Sequence, residues 1–234
     1  MQRALSRRTL VAACLVLLPA VVFVGVWQNG GAAALEDDLI YYLPTRQYIG
    51  ERIRAGDWPA WNPYVGLGGS VAADPQSGLW YPGTLLFVAL PPLVAYCLTL
   101  YLHFVLAGWG MYRFLRSLRR AWPAALLGAL AFELTGYMVA HRAHLTIHHA
   151  VAWLPWILLA WQRYADTGGR RYIALGASVF GLQMLVQHLQ PSIMTIALVS
   201  GYVLALLLPR RRSLLWAYPL GMVLGACVGA AQLA

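Results

Sequence analysis

Long apolar runs recur along the chain at about 9–27, 93–112, 123–140, 147–162, 172–187, 191–208 and 214–234. Several approach the ~20 residues that a helix needs to cross a bilayer. Hydrophobic residues make up 60% of the sequence and charged ones 11%, whereas a soluble domain carries about 25% charged residues. This excludes an ordinary cytosolic globule, and it equally excludes disorder, which needs low hydrophobicity. The expected fold class is an all-α polytopic membrane protein, a helical bundle with a long first outer loop at 28–92 and further spans over 93–234. The run at 9–27 reads as a retained first helix after a short N-terminal tail. Ala32-Ala33-Ala34 resembles a signal-peptide cleavage site, but the length of the run and the spans after it favour retention.

The formal charge of +9 arises from 17 arginines against 8 acids, and position matters more than the total. Residues 28 to 83 carry Glu36, Asp37, Asp38, Glu51, Asp57 and Asp74 against Arg46, Arg52 and Arg54, a net of −3. Arginine clusters fall at Arg3/Arg7/Arg8, Arg113/Arg116/Arg119/Arg120, Arg163/Arg170/Arg171 and Arg210/Arg211/Arg212, in every second gap between spans. The positive-inside rule places those gaps and the N-terminus in the cytoplasm. The acidic loop, the histidine-rich turn at 141–149 and the turn at 188–190 then face outward. The net charge is thus a signature of topology, not of a nucleic-acid partner. Cys14, Cys97 and Cys227 lie far apart in apolar runs, with neither a disulfide framework nor zinc spacing. The last run ends at Ala234 without a polar flank, the pattern expected of the N-terminal portion of a longer protein.

Three outer segments carry candidate chemistry. Glu36-Asp37-Asp38 follows the first span. These carboxylates either cap the amphipathic stretch Leu39 to Arg54 or supply a general base or a ligand for a divalent metal such as Mg or Mn, with Asp37 or Asp38 as the candidates. The loop continues through Trp58, Trp61, Asn62, Asp74, Gln76 and Tyr81 among prolines and glycines that fix turns. Its aromatic residues either stack on sugar rings or anchor at the headgroups. His141, Arg142 and His144 precede His148 and His149, and an arginine among imidazoles suits a phosphate; metal ligation and a plain polar turn remain the alternatives. His188 lies in the next outer turn. Glu133 falls inside a span, where an ionisable side chain is costly and either serves a function or pairs with an arginine.

The text ERIRAGDWPAWNPYVGLGGSVAADPQSGLWYPGTLLF from Glu51 to Phe87 closely resembles the bacterial YfhO-type membrane proteins. The similarity continues through LHFVLAGWGMYRFLR, HLTIHHAVAWLPWILL, QHLQPS and the closing GAAQLA. It implies a GT-C-like glycosyltransferase in the bacterial cytoplasmic membrane. Such a protein takes sugar from a polyprenyl-phosphate carrier and passes it to a cell-envelope glycan, lipid or polymer at the outer face. The carboxylate expected in the first outer loop maps onto Asp37 or Asp38, as catalytic group or metal ligand. Arg46, Trp58, Trp61, Asn62, Asp74, Gln76, Tyr81, Arg142, His144, His148, His149 and His188 are the expected substrate-binding residues. Where family members carry a Gly-His-Pro-Gln-like stretch, this chain has Gln187-His188-Leu189-Gln190, which keeps the histidine and alters the turn around it. The rival functions are a transporter or flippase of lipid-linked sugars and a non-catalytic membrane scaffold.

Overall fold

A computed structural model describes residues 6–24, 37–186 and 188–230. Arg3, the Ala32–Ala34 tract, Glu36, Gln187 and the closing Gln232 lie outside the described residues. Helix α1 (Arg7–Val22) starts where Ser6 Oγ accepts from the Thr9 amide at 3.2 Å, an N-cap satisfying one orphan donor of the first turn. A π-helical turn at Asp38–Tyr42 runs into α2 (Leu43–Arg54). The two-residue strands β1 (Trp61–Asn62) and β2 (Gly69–Ser70) pair antiparallel, Trp61 with Ser70 and Asn62 with Gly69. A 3-10 turn (Pro82–Leu85) and the short α3 (Leu86–Ala89) lead into α4 (Pro92–Ser117). Helix α5 (Trp122–Glu133) breaks at Leu134 and Thr135, whose hydroxyl caps α6 (Gly136–Ala140). After a 3-10 turn (His141–Ala143) come α7 (Leu145–Thr167), α8 (Arg171–Val186), α9 (Leu189–Tyr202) with a π turn (Val203–Leu207), and α10 (Leu214–Gly229).

Among the described residues, three segments are long and apolar enough to cross a membrane: Pro92–Ser117, Trp122–Ala143 and Leu189–Leu207. The chain is mostly helical, with helices of membrane-crossing length and composition. Only 22% of the most apolar window of Trp122–Ala143 and 28% of that of Leu189–Leu207 is buried in the protein, so these helices turn apolar side chains outward. Leu127, Leu198, Leu204, Leu215 and Val223 are all at least half exposed, as lipid-facing residues are. Helices α8 and α10 have the expected apolar composition but 16 residues each, about 24 Å at ~1.5 Å per residue. Helix α7 spans 23 residues but carries His148, His149, Arg163 and Asp166, which lower its apolarity; it is the most enclosed helix, packed against α4, α8 and α9.

Close helix approach comes from small residues. Gly221, Gly225 and Gly229 stand four residues apart on one face of α10. A Cβ at Gly225 would lie 2.7 Å from the Ala177 carbonyl oxygen, one at Gly229 2.5 Å from Met184 Cβ, and one at Gly221 2.5 Å from the Trp161 ring. Small residues at this spacing let backbones approach in a setting where water supplies no driving force between helices. This G-x-x-x-G-x-x-x-G pattern was readable in the sequence and marks the α8–α10 contact. Replacing Gly225 by Leu should therefore destabilise the protein by about 1–3 kcal/mol through overpacking, read as a lowered thermal midpoint in detergent. Leu220→Ala, on the exposed face of α10, should leave the midpoint nearly unchanged.

Candidate functional site

The outer loop is irregular, and side chains from four segments hold it. Asp74 Oδ1 and Asn62 Oδ1 accept from the amides of Gln76 at 3.0 Å and Tyr64 at 2.9 Å, local turns of the kind short polar side chains build. Asn62 thus serves the loop backbone. Asp74 accepts from the Tyr41 hydroxyl, and Gln76 Oε1 accepts from Tyr42 at 2.8 Å. Because the Tyr42 proton is committed to Gln76, Thr146 Oγ1 donates to Tyr42 at 3.1 Å, and His188 Nδ1 donates to Thr146 at 3.1 Å. One directional chain therefore ties the turn before α9, the start of α7, the π turn and the loop. Burial raises the Tyr42 phenol above its ordinary range, and burial followed by the Asp74 bond raises Tyr41, so both phenols keep their protons.

Arg46 of α2 is 2% exposed. Its Nη1 donates to Thr84 Oγ1, which donates to the Gly78 carbonyl at 2.6 Å; Nε and Nη2 have no partner among the described residues. Gly78 has φ +59°, and a Cβ there would overlap the guanidinium, so only glycine admits this approach. Burial lowers Arg46 to about 10, and it remains a cation at neutral pH.

Tyr81, next along, binds His103 Nε2 at 2.5 Å and accepts from Trp153 Nε1 at 3.0 Å. His103 Nδ1 faces the Thr99 carbonyl at 2.6 Å, so Nδ1 carries the hydrogen and the neutral ring accepts from Tyr81 at Nε2. His149 stacks on His103 with centroids 3.6 Å apart, and its Nε2 lies 3.4 Å from Thr99 Oγ1. His148 packs against Phe104 at 4.4 Å and leaves both ring nitrogens without a partner among the described residues. Below Tyr81 and His103 opens a groove of about 630 Å³ whose wall includes Leu86, Leu102, Leu106, Trp109, Trp153 and Trp156.

The paired aspartates part company. Asp38 is fully buried and accepts from the Tyr96 hydroxyl. Asp37 is 64% exposed, with its Oδ2 3.5 Å from His144 Nε2. His144 Nδ1 and the buried Nε of Arg142 have no partner among the described residues. The His141–Ala143 turn ends at His144, so His141 and His144 do not continue the helix that carries His148 and His149. No group of three His, Cys, Asp or Glu converges among the described residues: Asp38 is taken by Tyr96, and Asp37 has one imidazole beside it.

The loop aromatics form a separate surface. Trp58 packs on Trp80 with centroids 5.2 Å apart, and Trp61, 56% exposed, lines a hollow of about 440 Å³ with Tyr48, Tyr64, Glu51 and Arg52. Sequence reasoning missed Tyr96, Thr99 and His103; their spacings of three and four put one polar stripe on α4, the signal that would have found them. Glu133, at the α5 break, is fully buried against Gly108 with neither oxygen hydrogen-bonded among the described residues, so it has no arginine partner there.

No family model, curated protein or solved structure matches the chain. The YfhO-type resemblance therefore stands on the quoted motifs alone.

His188 yields a pH prediction. Burial first, then the nearby imidazoles of His144 and His141, push it below its ordinary 6.5. The unfolded chain then binds a proton near 6.5 that the folded chain refuses, so this contribution to stability is full above pH 6.5 and lost as pH falls below it. Thermal midpoints from pH 7.5 to 5 should show an acid loss that shrinks in His188→Asn.

Proposed function

We propose that this chain is a polytopic, GT-C-like glycosyltransferase of the bacterial cytoplasmic membrane, with its N-terminus and arginine-rich helix ends inside. It moves sugar from a polyprenyl-phosphate carrier to a cell-envelope acceptor at the outer face. The observation that carries this reading is the split of Asp37 from Asp38: one carboxylate open at a rim that holds His144 and Arg142, its neighbour buried on Tyr96.

Asp37 takes the proton of the acceptor hydroxyl as its oxygen bonds to the anomeric carbon. The bond from that carbon to the phosphate oxygen breaks, and its electron pair leaves with the polyprenyl phosphate. Arg142 and His144 at the rim, with the Arg46 cation deeper under the loop, supply positive charge and donors that have no partner among the described residues, the kind of preorganised stabilisation that lowers such barriers. Asp38 positions the π turn that presents Asp37. The aromatic groove beneath Tyr81 and His103 suits an isoprenoid chain, and the Trp61–Tyr64 hollow suits a sugar face, where aromatic rings and a charged pair meet. His149 and His188 act from behind this rim, supporting Tyr81 and Tyr42 through Thr99, His103 and Thr146, and His148 packs on Phe104 beside them.

A transport reading has one observation in its favour, the buried Glu133 at a broken helix, a device used in transporters. The two are separated by incubating the full-length protein with synthetic polyprenyl-phosphate hexoses and following release of polyprenyl phosphate. Asp37→Asn should lower release by about 10²-fold or more, while Asp57→Asn, an exposed loop carboxylate paired with Arg52, should leave it unchanged. Unaltered release in Asp37→Asn, or movement of the donor across vesicles without release, overturns the transferase reading.

A further inference from the structure

At the end of α4 and α7 opposite Asp37, a cavity of about 840 Å³ opens among three chain segments far apart in sequence. Its wall carries Arg116 and Arg119 from the end of α4, Arg163 and Asp166 from the end of α7, and Arg210 and Arg211 from the turn before α10. The 23 residues of α7 separate it from the outer rim by roughly 34 Å. Its size falls within the ~300–1,000 Å³ of small-molecule sites.

The charge in this cavity is not balanced from within. Asp166 is its one carboxylate; it pairs with Arg210 at 2.6 Å and accepts from Gln162 Nε2 at 3.0 and 3.1 Å. Arg116 donates to the Arg120 carbonyl, and Arg211 donates through Nε to the Ala165 carbonyl at 2.9 Å. Neutral carbonyls fix those two guanidinium groups in place without cancelling their charge. The side chains of Arg119 and Arg163 make no hydrogen bond or ion pair with the described residues. Four cations thus remain unanswered in one concave wall, where the field is focused. Arg119 also sits at φ +59°, in the left-handed region where glycine or asparagine is the ordinary choice.

We infer that this cavity binds the phosphate of an anionic phospholipid headgroup. Guanidinium forks match phosphate oxygens in pairs, and basic pockets between membrane helices recognise such headgroups. The lipid, and not a soluble phosphate, is favoured by the chain on either side of the arginines. Leu204 and Leu206 before them and Leu215 and Trp216 after them are 52–65% exposed, an apolar surface against which acyl chains lie. The inference rests on the membrane setting and is independent of glycosyl transfer.

The test uses the full chain in neutral detergent, titrated with dioleoylphosphatidylglycerol, with dioleoylphosphatidylcholine and with inorganic phosphate, binding being read from tryptophan fluorescence. Phosphatidylglycerol should bind, and Arg119→Gly and Arg163→Gln should each weaken it about fivefold. The glycine also suits the backbone at 119, so folding is retained. Arg7→Gln and Arg8→Gln, which remove exposed charge at the start of α1, should leave the affinity unchanged. Equal weakening by both pairs of variants, or equal binding of phosphatidylcholine, overturns the site. Arginine-dependent binding of inorganic phosphate as tight as that of the lipid overturns the lipid as its source.

Discussion

Taking a guanidinium out of water costs several kcal/mol even after relaxation, unless neighbouring groups answer its charge and donors. Arg46 is taken out of water almost completely, and the arrangement of the outer region follows from how that burial is met. Thr84 receives one nitrogen and passes its own proton to Gly78; glycine at 78 leaves room for the guanidinium; and the charge of the Asp74 carboxylate opposes the desolvation that lowers the cation. These residues come from the stretch 74–84 of a loop with almost no regular structure of its own, which Tyr41 of the π turn joins at Asp74. Their shared neighbour is what gives the loop one conformation.

From that centre, polar side chains reach into the helices in two directions. Through Tyr42, Thr146 and His188 the loop is tied to the starts of α7 and α9. Through Tyr81 and His103 it is tied to α4, with Trp153 of α7 on the same hydroxyl. Buried polar networks of this kind are stable only when their members find partners. Among the described residues, the atoms of Arg46, Arg142, His144, His148 and His149 that lack a partner lie in or beside the region assigned to substrate, and Glu133, Trp161 and Gln183 keep further unpartnered atoms in the helices. Helices α4 and α7 join this region to the arginine cavity at their other ends, so one rigid pair of helices carries two surfaces of opposite chemical character.

Much of the helical layout was legible in the chain. The runs at 93–112 and 191–208 appear as Pro92–Ser117 and Leu189–Leu207, because an apolar run of that length has few ways to satisfy its backbone other than as a helix. The 123–140 run appears with a break at Leu134 and Thr135 that apolar periodicity does not report. The stripe of Tyr96, Thr99 and His103 was overlooked because three polar residues in 26 barely lower the apolarity of α4. For the site, residue types were legible and partners were not: Asp37 and Asp38 are adjacent and identical in type, yet one is exposed and the other buried.

The sequence by itself determined that this is a mostly helical chain with apolar runs of membrane-spanning length, an acidic, aromatic first loop and arginines in alternate gaps, since hydropathy and charge are properties of residues and add along the chain. Only the tertiary structure decided that Tyr96 takes Asp38 while Asp37 meets His144, that Arg46 lies under Gly78, and that arginines from three separate gaps share one cavity. Such contacts depend on which helix faces which and at what height, and those are set by the close approach at glycines 221, 225 and 229 and by the buried hydrogen bonds, between residues that stand as far as 104 positions apart.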